Sequence, residues 1–144
     1  MRDTLVIIPT YNEIENIEPL TRAVLEASEH VDILIVDDNS PDGTGDKADQ
    51  IQATEPRLHV LHRTLKDGLG RAYVAGFHWA LEHDYEYIME MDCDFSHNPQ
   101  EIPNFRSKME EGYHLILGSR YIGGIRIMNW PLSRLMLSRG AGIY

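Results

Sequence analysis

In Tyr87-Ile88-Met89-Glu90-Met91-Asp92-Cys93-Asp94 the apolar run Tyr87-Ile88-Met89 leads to two acids one residue apart, Asp92 and Asp94. The run reads as a buried strand, and an isolated buried carboxylate costs several kcal/mol or more. Asp92 and Asp94 therefore belong at the carboxyl edge of a sheet, where open α/β folds bind their ligands. Two carboxylates so spaced suit a hard divalent cation and, through it, a phosphate. With no histidine between them, Mg²⁺ or Mn²⁺ is favoured over zinc. If the strand persists, Cys93 points away from its acidic neighbours and reads as a small buried hydrophobe.

Outward from this stretch, the chain alternates strands with helical patterns. Thr4 to Pro9, Val31 to Val36, Leu58 to Leu61, Tyr85 to Met91 and Leu115 to Leu117 read as strands. Between them Ile17, Leu20, Val24 and Leu25 recur at helical spacing, and a polar helix runs through Ala48 and Ile51 to about Ala53. A further helix places Ala72, Ala75, Gly76, Trp79 and Ala80 on one face, small enough for close approach to a sheet. Asn12 with Glu15 and Asn98 with Glu101 have capping-box spacing, and Pro99 suits a first helical position. The expected fold is α/β, with a mostly parallel sheet and helices on both faces.

In such a sheet, three polar clusters share one edge: Pro9-Thr10-Tyr11-Asn12-Glu13, Asp37-Asp38 and Asp92-Cys93-Asp94. Tyr11 can stack on a nucleobase, and Glu13 and Asp38 can accept bonds from base or ribose donors. Arg120, after the fifth strand, can clamp a phosphate bidentately. The competing readings are three solvated loops and, for Arg120, a structural salt bridge to one of the acids. His97 reads as a loop or capping residue rather than a ligand. Gly68-Leu69-Gly70 opens a glycine pattern, but Tyr73 stands at the third glycine position, so the dinucleotide fingerprint is absent.

Bulk properties bound the function. The 144 residues suit one domain, and a net charge of −10 argues against nucleic-acid binding. Cys93 is the single cysteine, so no internal disulfide can form. From Gly118 to Tyr144 there is no acid, but Arg120, Arg126, Arg134 and Arg139 occur. With Leu132, Leu135 and Met136 at helical spacing, residues 126–144 read as an amphipathic segment facing an anionic membrane surface. The apolar pattern is still running at Tyr144, which suggests a domain incomplete at its C-terminus.

Six spaced motifs resemble family 2 glycosyltransferases of the GT-A fold, a Rossmann-like nucleotide-diphospho-sugar transferase architecture. They are Ile8-Pro9-Thr10-Tyr11-Asn12-Glu13, residues 36–44, Gly68-Leu69-Gly70, Met91-Asp92-Cys93-Asp94-Phe95-Ser96-His97, Gly118-Ser119-Arg120-Tyr121 and Asn129-Trp130-Pro131-Leu132-Ser133-Arg134. The last motif, with Ser40-Pro41-Asp42-Gly43-Thr44, is similar to the dolichol-phosphate (polyprenol-phosphate) mannosyltransferases.

The resemblance implies inverting transfer of mannose from GDP-mannose to a polyprenyl phosphate, at the cytoplasmic face of a membrane. It implies that Pro9, Tyr11, Glu13, Val36 and Asp38 hold the nucleoside. Asp92, Cys93 through its backbone, and Asp94 would face the diphosphate and metal, with Arg120 at the sugar phosphate. Ser96 stands where many members carry a glutamine metal ligand, and Cys93 where alanine is common. Ser96 is a shorter ligand, so water would complete the shell. Members also continue past the Asn-Trp-Pro-Leu-Ser-Arg string, so donor binding is expected to survive in part and turnover to be poor. A separate membrane subunit or domain is left open. The alternatives are a relative using UDP-glucose or another sugar nucleotide, a non-catalytic nucleotide-sugar binding module, and a phosphoacceptor receiver domain. The last would need a lysine after a late strand, where this chain has Gly-Ser-Arg.

Overall fold

The structure is a computed structural model that describes residues 2–118. Its strands are β1 (Thr4–Thr10), β2 (Val31–Asp37), β3 (Leu58–His62) and β4 (Tyr87–Glu90). They form one parallel sheet in the order β3-β2-β1-β4. The helices are α1 (Ile17–Ala27), α2 (Thr44–Gln52), α3 (Leu69–Leu81) and α4 (Ile102–Glu110), the last entered through a 3-10 turn at Pro99–Glu101.

Strand alternation divides the core into two layers. Val6 and Ile8 of β1 and Ile33 and Ile35 of β2 pack with Ile17, Leu20 and Val24 of α1, Ala48 of α2 and Ile102 of α4. Leu5, Ile7, Leu34 and Val36 point to the other face and pack with Ala72 and Ala80 of α3. Helices thus cover both faces, which is why Leu5 to Ile8 of β1 and Ile33 to Val36 of β2 are continuously apolar rather than alternating. Each such side chain contributes about 1.5–3 kcal/mol by leaving water. The small-residue face of α3 lets it sit hard against the sheet. A Cβ on Gly76 would lie 2.7 Å from Ile7 Cγ2.

The structure departs from the sequence reading in three places. Asn12 does not cap α1; it has φ +59, and the helix starts after Asn16, which makes no side-chain cap bond. The backbone N–H groups of Asn12 and Glu13 are bonded instead to Ser40 and Thr44, so this segment ties two loops together. Strand β4 is shorter than expected, because the Tyr85 N–H bonds to the His83 carbonyl and its hydroxyl to Asp32. Leu115 to Leu117 forms no strand, and Leu115 and Leu117 are 76% and 78% exposed. An apolar run signals a need for cover, but a strand also needs a ladder partner, and no described strand supplies one. Asn98 does cap its turn, accepting from the Gln100 N–H at 3.1 Å, while Glu101 bonds Asn104 rather than closing a capping box. Arg120 and the 126–144 segment lie outside the described residues.

Candidate functional site

The carboxyl ends of β1, β2 and β4 lie side by side, as the parallel register requires. Thr10 is paired with Asp37 and Ile7 with Glu90, and the Met91 N–H continues the ladder to the Ile7 carbonyl. The three polar clusters therefore emerge at one edge. Asp37 organises the first part of it. Its carboxylate accepts from Thr10 Oγ1 at 3.0 Å, from Ser40 Oγ at 2.6 Å and from the Ser40 N–H at 3.0 Å. The loop after β2 then takes hold of the loop after β1. The Asn12 N–H donates to Ser40 Oγ, the Glu13 N–H to Thr44 Oγ1 at 2.9 Å and the Ile14 N–H to Asp42 Oδ2. Residues 40–44 thus act as a buckle whose side-chain oxygens replace missing backbone partners. Gly45 is required beneath it, since a Cβ there would stand 2.9 Å from Asp37 Oδ2.

Asp38 follows on β2 and is only 6% exposed. Burial raises its pKa, opposed by the Arg63 guanidinium, which bonds Asp38 Oδ1. Arg63 also bonds Asp67, so one guanidinium spans two carboxylates. Three residues further on, Lys66 Nζ stands 3.5 Å from the centre of the Tyr11 ring, a cation–π contact.

The acid pair lies after β4. Asp92 Oδ1 accepts from the Tyr73 hydroxyl at 3.2 Å, reaching across from α3. The Asp92 N–H donates to His97 Nδ1 at 3.1 Å, so His97 fixes the loop, as a loop-holding histidine should. Asp94 Oδ1 accepts from the Ser96 N–H at 2.9 Å. Burial works against the Asp94 charge, but hydrogen bonds from Ser96 and the nearby His97 outweigh it and hold the pKa below the ordinary value. Cys93, between them, is buried in the core layer of Val6 and Ile8. Burial, with Glu13 and the two aspartates close by, pushes its thiol up to about 12. Phe95 takes φ +59, uncommon for an aromatic residue, and turns the chain sharply after Asp94.

The remaining site residues fall as follows. Pro9 is half-buried at the end of β1, and the half-buried Glu13 accepts from Asn16 Nδ2. Val36 is fully buried beneath α3, so only its backbone faces the edge. Tyr73, Arg63, Lys66 and the bracing role of Asp37 do not stand out in the sequence as site residues. Tyr73 had a signal: it breaks the glycine fingerprint, three residues after Gly70, and it is the residue that holds Asp92.

The metal that the family resemblance implies can be tested against the donors present. Among the described residues no three His, Cys, Asp or Glu side chains gather as a metal-holding group. Asp92 and Asp94 do offer carboxylate oxygens, and the protonated, buried Cys93 offers no soft competitor. Two carboxylates, with the rest of the shell from water and phosphate, are the usual holding of Mg²⁺ and fit a hard cation.

The sequence model of the glycosyl transferase family 2 matches residues 5–143. The chain belongs to that family. It is 51% identical over 141 residues to undecaprenyl-phosphate mannosyltransferase of Micrococcus luteus, covering 97% of this chain and 57% of that protein. It is 50% identical over 142 residues to polyprenol monophosphomannose synthase of Mycolicibacterium smegmatis, covering 98% of this chain and 54% of that protein. Against dolichol-phosphate mannosyltransferase of Pyrococcus furiosus the identity is 38%, over 94% of this chain and 38% of that protein. The chain thus spans about half, or less, of these relatives' lengths. Among solved structures it is similar to the mannosyltransferase PcManGT of Pyrobaculum calidifontis in complex with GDP-Man and Mn2+. That likeness has a TM-score of 0.54 and 28% identity, over 64% of this chain and 27% of that one. Together with the parallel sheet, these likenesses show the α/β nucleotide-sugar transferase fold of this glycosyl transferase family 2 chain.

Proposed function

We propose that this chain is the donor-binding part of an enzyme that transfers mannose from GDP-mannose to a polyprenyl phosphate, with inversion. The observation that carries the reading is the meeting, at one sheet edge, of Tyr11 and Asp38 with the Asp92–Asp94 pair. Relatives named undecaprenyl-phosphate mannosyltransferase and polyprenol monophosphomannose synthase support the sugar and the acceptor class.

In this reading Tyr11, Glu13 and Asp38 hold the nucleoside, with Pro9 and Val36 contributing backbone. Asp92 and Asp94 would hold Mg²⁺ or Mn²⁺, with Ser96 near enough in sequence to add a hydroxyl or a bound water. The cation, when bound, neutralises charge on the departing diphosphate. Tyr73 and His97 keep Asp92 in place, and the Ser96 N–H keeps Asp94 ionised and aimed. The acceptor is itself a phosphate, ionised at neutral pH, so the residues need only position it for attack opposite the leaving diphosphate. Arg120 would bind the sugar-phosphate region, and the arginine-bearing 126–144 segment the lipid-phosphate surface on the cytoplasmic side of a membrane.

Calorimetric titration of this chain with GDP, UDP and GDP-mannose, each with Mn²⁺, tests the donor. GDP is expected to bind more tightly than UDP. Tighter binding of UDP would overturn the mannose reading and favour a UDP-sugar donor.

A further inference from the structure

The β3–α3 connection borders the donor site and touches it twice. Arg63 is the first residue after β3, and its own N–H is fixed to the Asp37 carbonyl at 2.8 Å. That bond aims its side chain along the edge, where it meets the buried carboxylate of Asp38 at 2.5 Å. Its second nitrogen is held by Asp67, which also receives Arg71 at 3.2 Å. The same connection lays Lys66 on the ring of Tyr11. Both residues it reaches are those assigned to the nucleoside.

We propose that Arg63 is a positioning residue for nucleoside recognition, acting through Asp38. This rests on the reading of Asp38 as a nucleoside acceptor. A carboxylate that recognises base or ribose N–H and O–H groups must be ionised and must keep an oxygen free. Burial opposes the first requirement at Asp38, and the nearby carboxylates of Asp67 and Asp37 oppose it further. Arg63 counters that with a permanent charge, and because it bonds Oδ1 it leaves Oδ2 for a ligand. A lysine could supply the charge but not the fork that spans Asp38 and Asp67. A purely structural role would make Arg63 a tether of the connection, equivalent to the Asp67–Arg71 contact that never touches Asp38.

The test is a thermodynamic cycle on this chain, read by calorimetric binding of GDP without metal. Arg63→Gln is expected to weaken GDP about tenfold at pH 7, the scale of one hydrogen bond to a charged group. The loss should deepen from pH 8 to pH 6, because Asp38 without its guanidinium protonates at a higher pH than in the wild type. In the Asp38→Asn background, Arg63→Gln should add little further loss. Arg63→Lys should restore the wild-type pH profile and part of the affinity. Asp67→Asn is the tether control and should leave GDP binding within about twofold. Additive losses in the cycle, or a loss matched by Asp67→Asn and independent of pH, would overturn the proposal and leave Arg63 a tether. Wild-type chain that binds neither GDP nor UDP would instead overturn the nucleoside reading, and this inference with it.

Discussion

The Tyr73 hydroxyl donates to Asp92 Oδ1 at 3.2 Å and so ties the first turns of α3 to the end of β4. Burial, with Asp92 and Glu90 nearby, raises the Tyr73 pKa, so the phenol stays a donor at any ordinary pH. Tyr73→Phe keeps the ring's packing and removes only this bond. Binding of GDP in the presence of Mn²⁺ is expected to weaken several-fold, about 1 kcal/mol, while the thermal midpoint moves little. Unchanged Mn²⁺-dependent affinity would show that Asp92 needs no such brace.

Asp94 is held charged by the Ser96 backbone and hydroxyl. Asp94→Asn keeps an oxygen to accept the Ser96 N–H, so the loop should fold as before. What disappears is the charge on a candidate metal ligand. Mn²⁺ is expected to strengthen GDP binding to the wild-type chain and to have almost no effect on the variant. If Mn²⁺ strengthened GDP binding equally in both, Asp94 would not be a metal ligand.

Much of this architecture is written in the sequence, for reasons that differ by element. Both faces of β1 and β2 are covered, so the continuous apolar runs Leu5 to Ile8 and Ile33 to Val36 are legible as parallel strands. Parallel strands end at the same edge, which is why the convergence of Asp38 and Asp92 follows from the strand pattern alone. The partners of those acids do not. Arg63 is 25 residues from Asp38, and Tyr73 is 19 from Asp92, and neither contact leaves a local pattern. The Asn12 capping box misled because the same side-chain types suit turns, and the long-range bonds to Ser40 and Thr44 decided between them. Leu115 to Leu117 misled because an apolar run signals a need for cover, not the ladder partner a strand also needs.

Gly76 marks where α3 meets β1. A Cβ there would stand 2.7 Å and 3.1 Å from two carbons of Ile7, which is fully buried and has nowhere to move. Gly76→Ala gains helix propensity worth about 1 kcal/mol, but overpacking a tight contact costs about 1–3 kcal/mol. The variant is therefore expected to have a lower urea midpoint than wild type. A higher midpoint would mean that α3 can lift off the sheet without cost.

Arg106 fastens α4 to the start of β1. Its guanidinium donates to Asp3 and to the Thr4 hydroxyl, and it is nearly buried. The Arg106 hydrogen bond, helped by Thr4 against the opposing effect of burial, lowers the Asp3 pKa from 3.8 to about 2. A carboxyl with a depressed folded-state pKa stabilises the fold fully above its unfolded value. That contribution fades as pH falls from about 4 toward about 2. Because Asp3 is partly open to solvent, the contribution is expected to be about 1 kcal/mol once screening is allowed for. Arg106→Gln removes the charge and keeps a donor. The variant is expected to be less stable than wild type at pH 7, with the gap narrowing between pH 4 and pH 2 because Asp3 no longer has the ion pair to lose. Urea titrations at pH 7, 4 and 2.5 measure this directly. A gap that stays constant across the three would mean that Arg106 acts through packing alone and that the Asp3 charge contributes nothing.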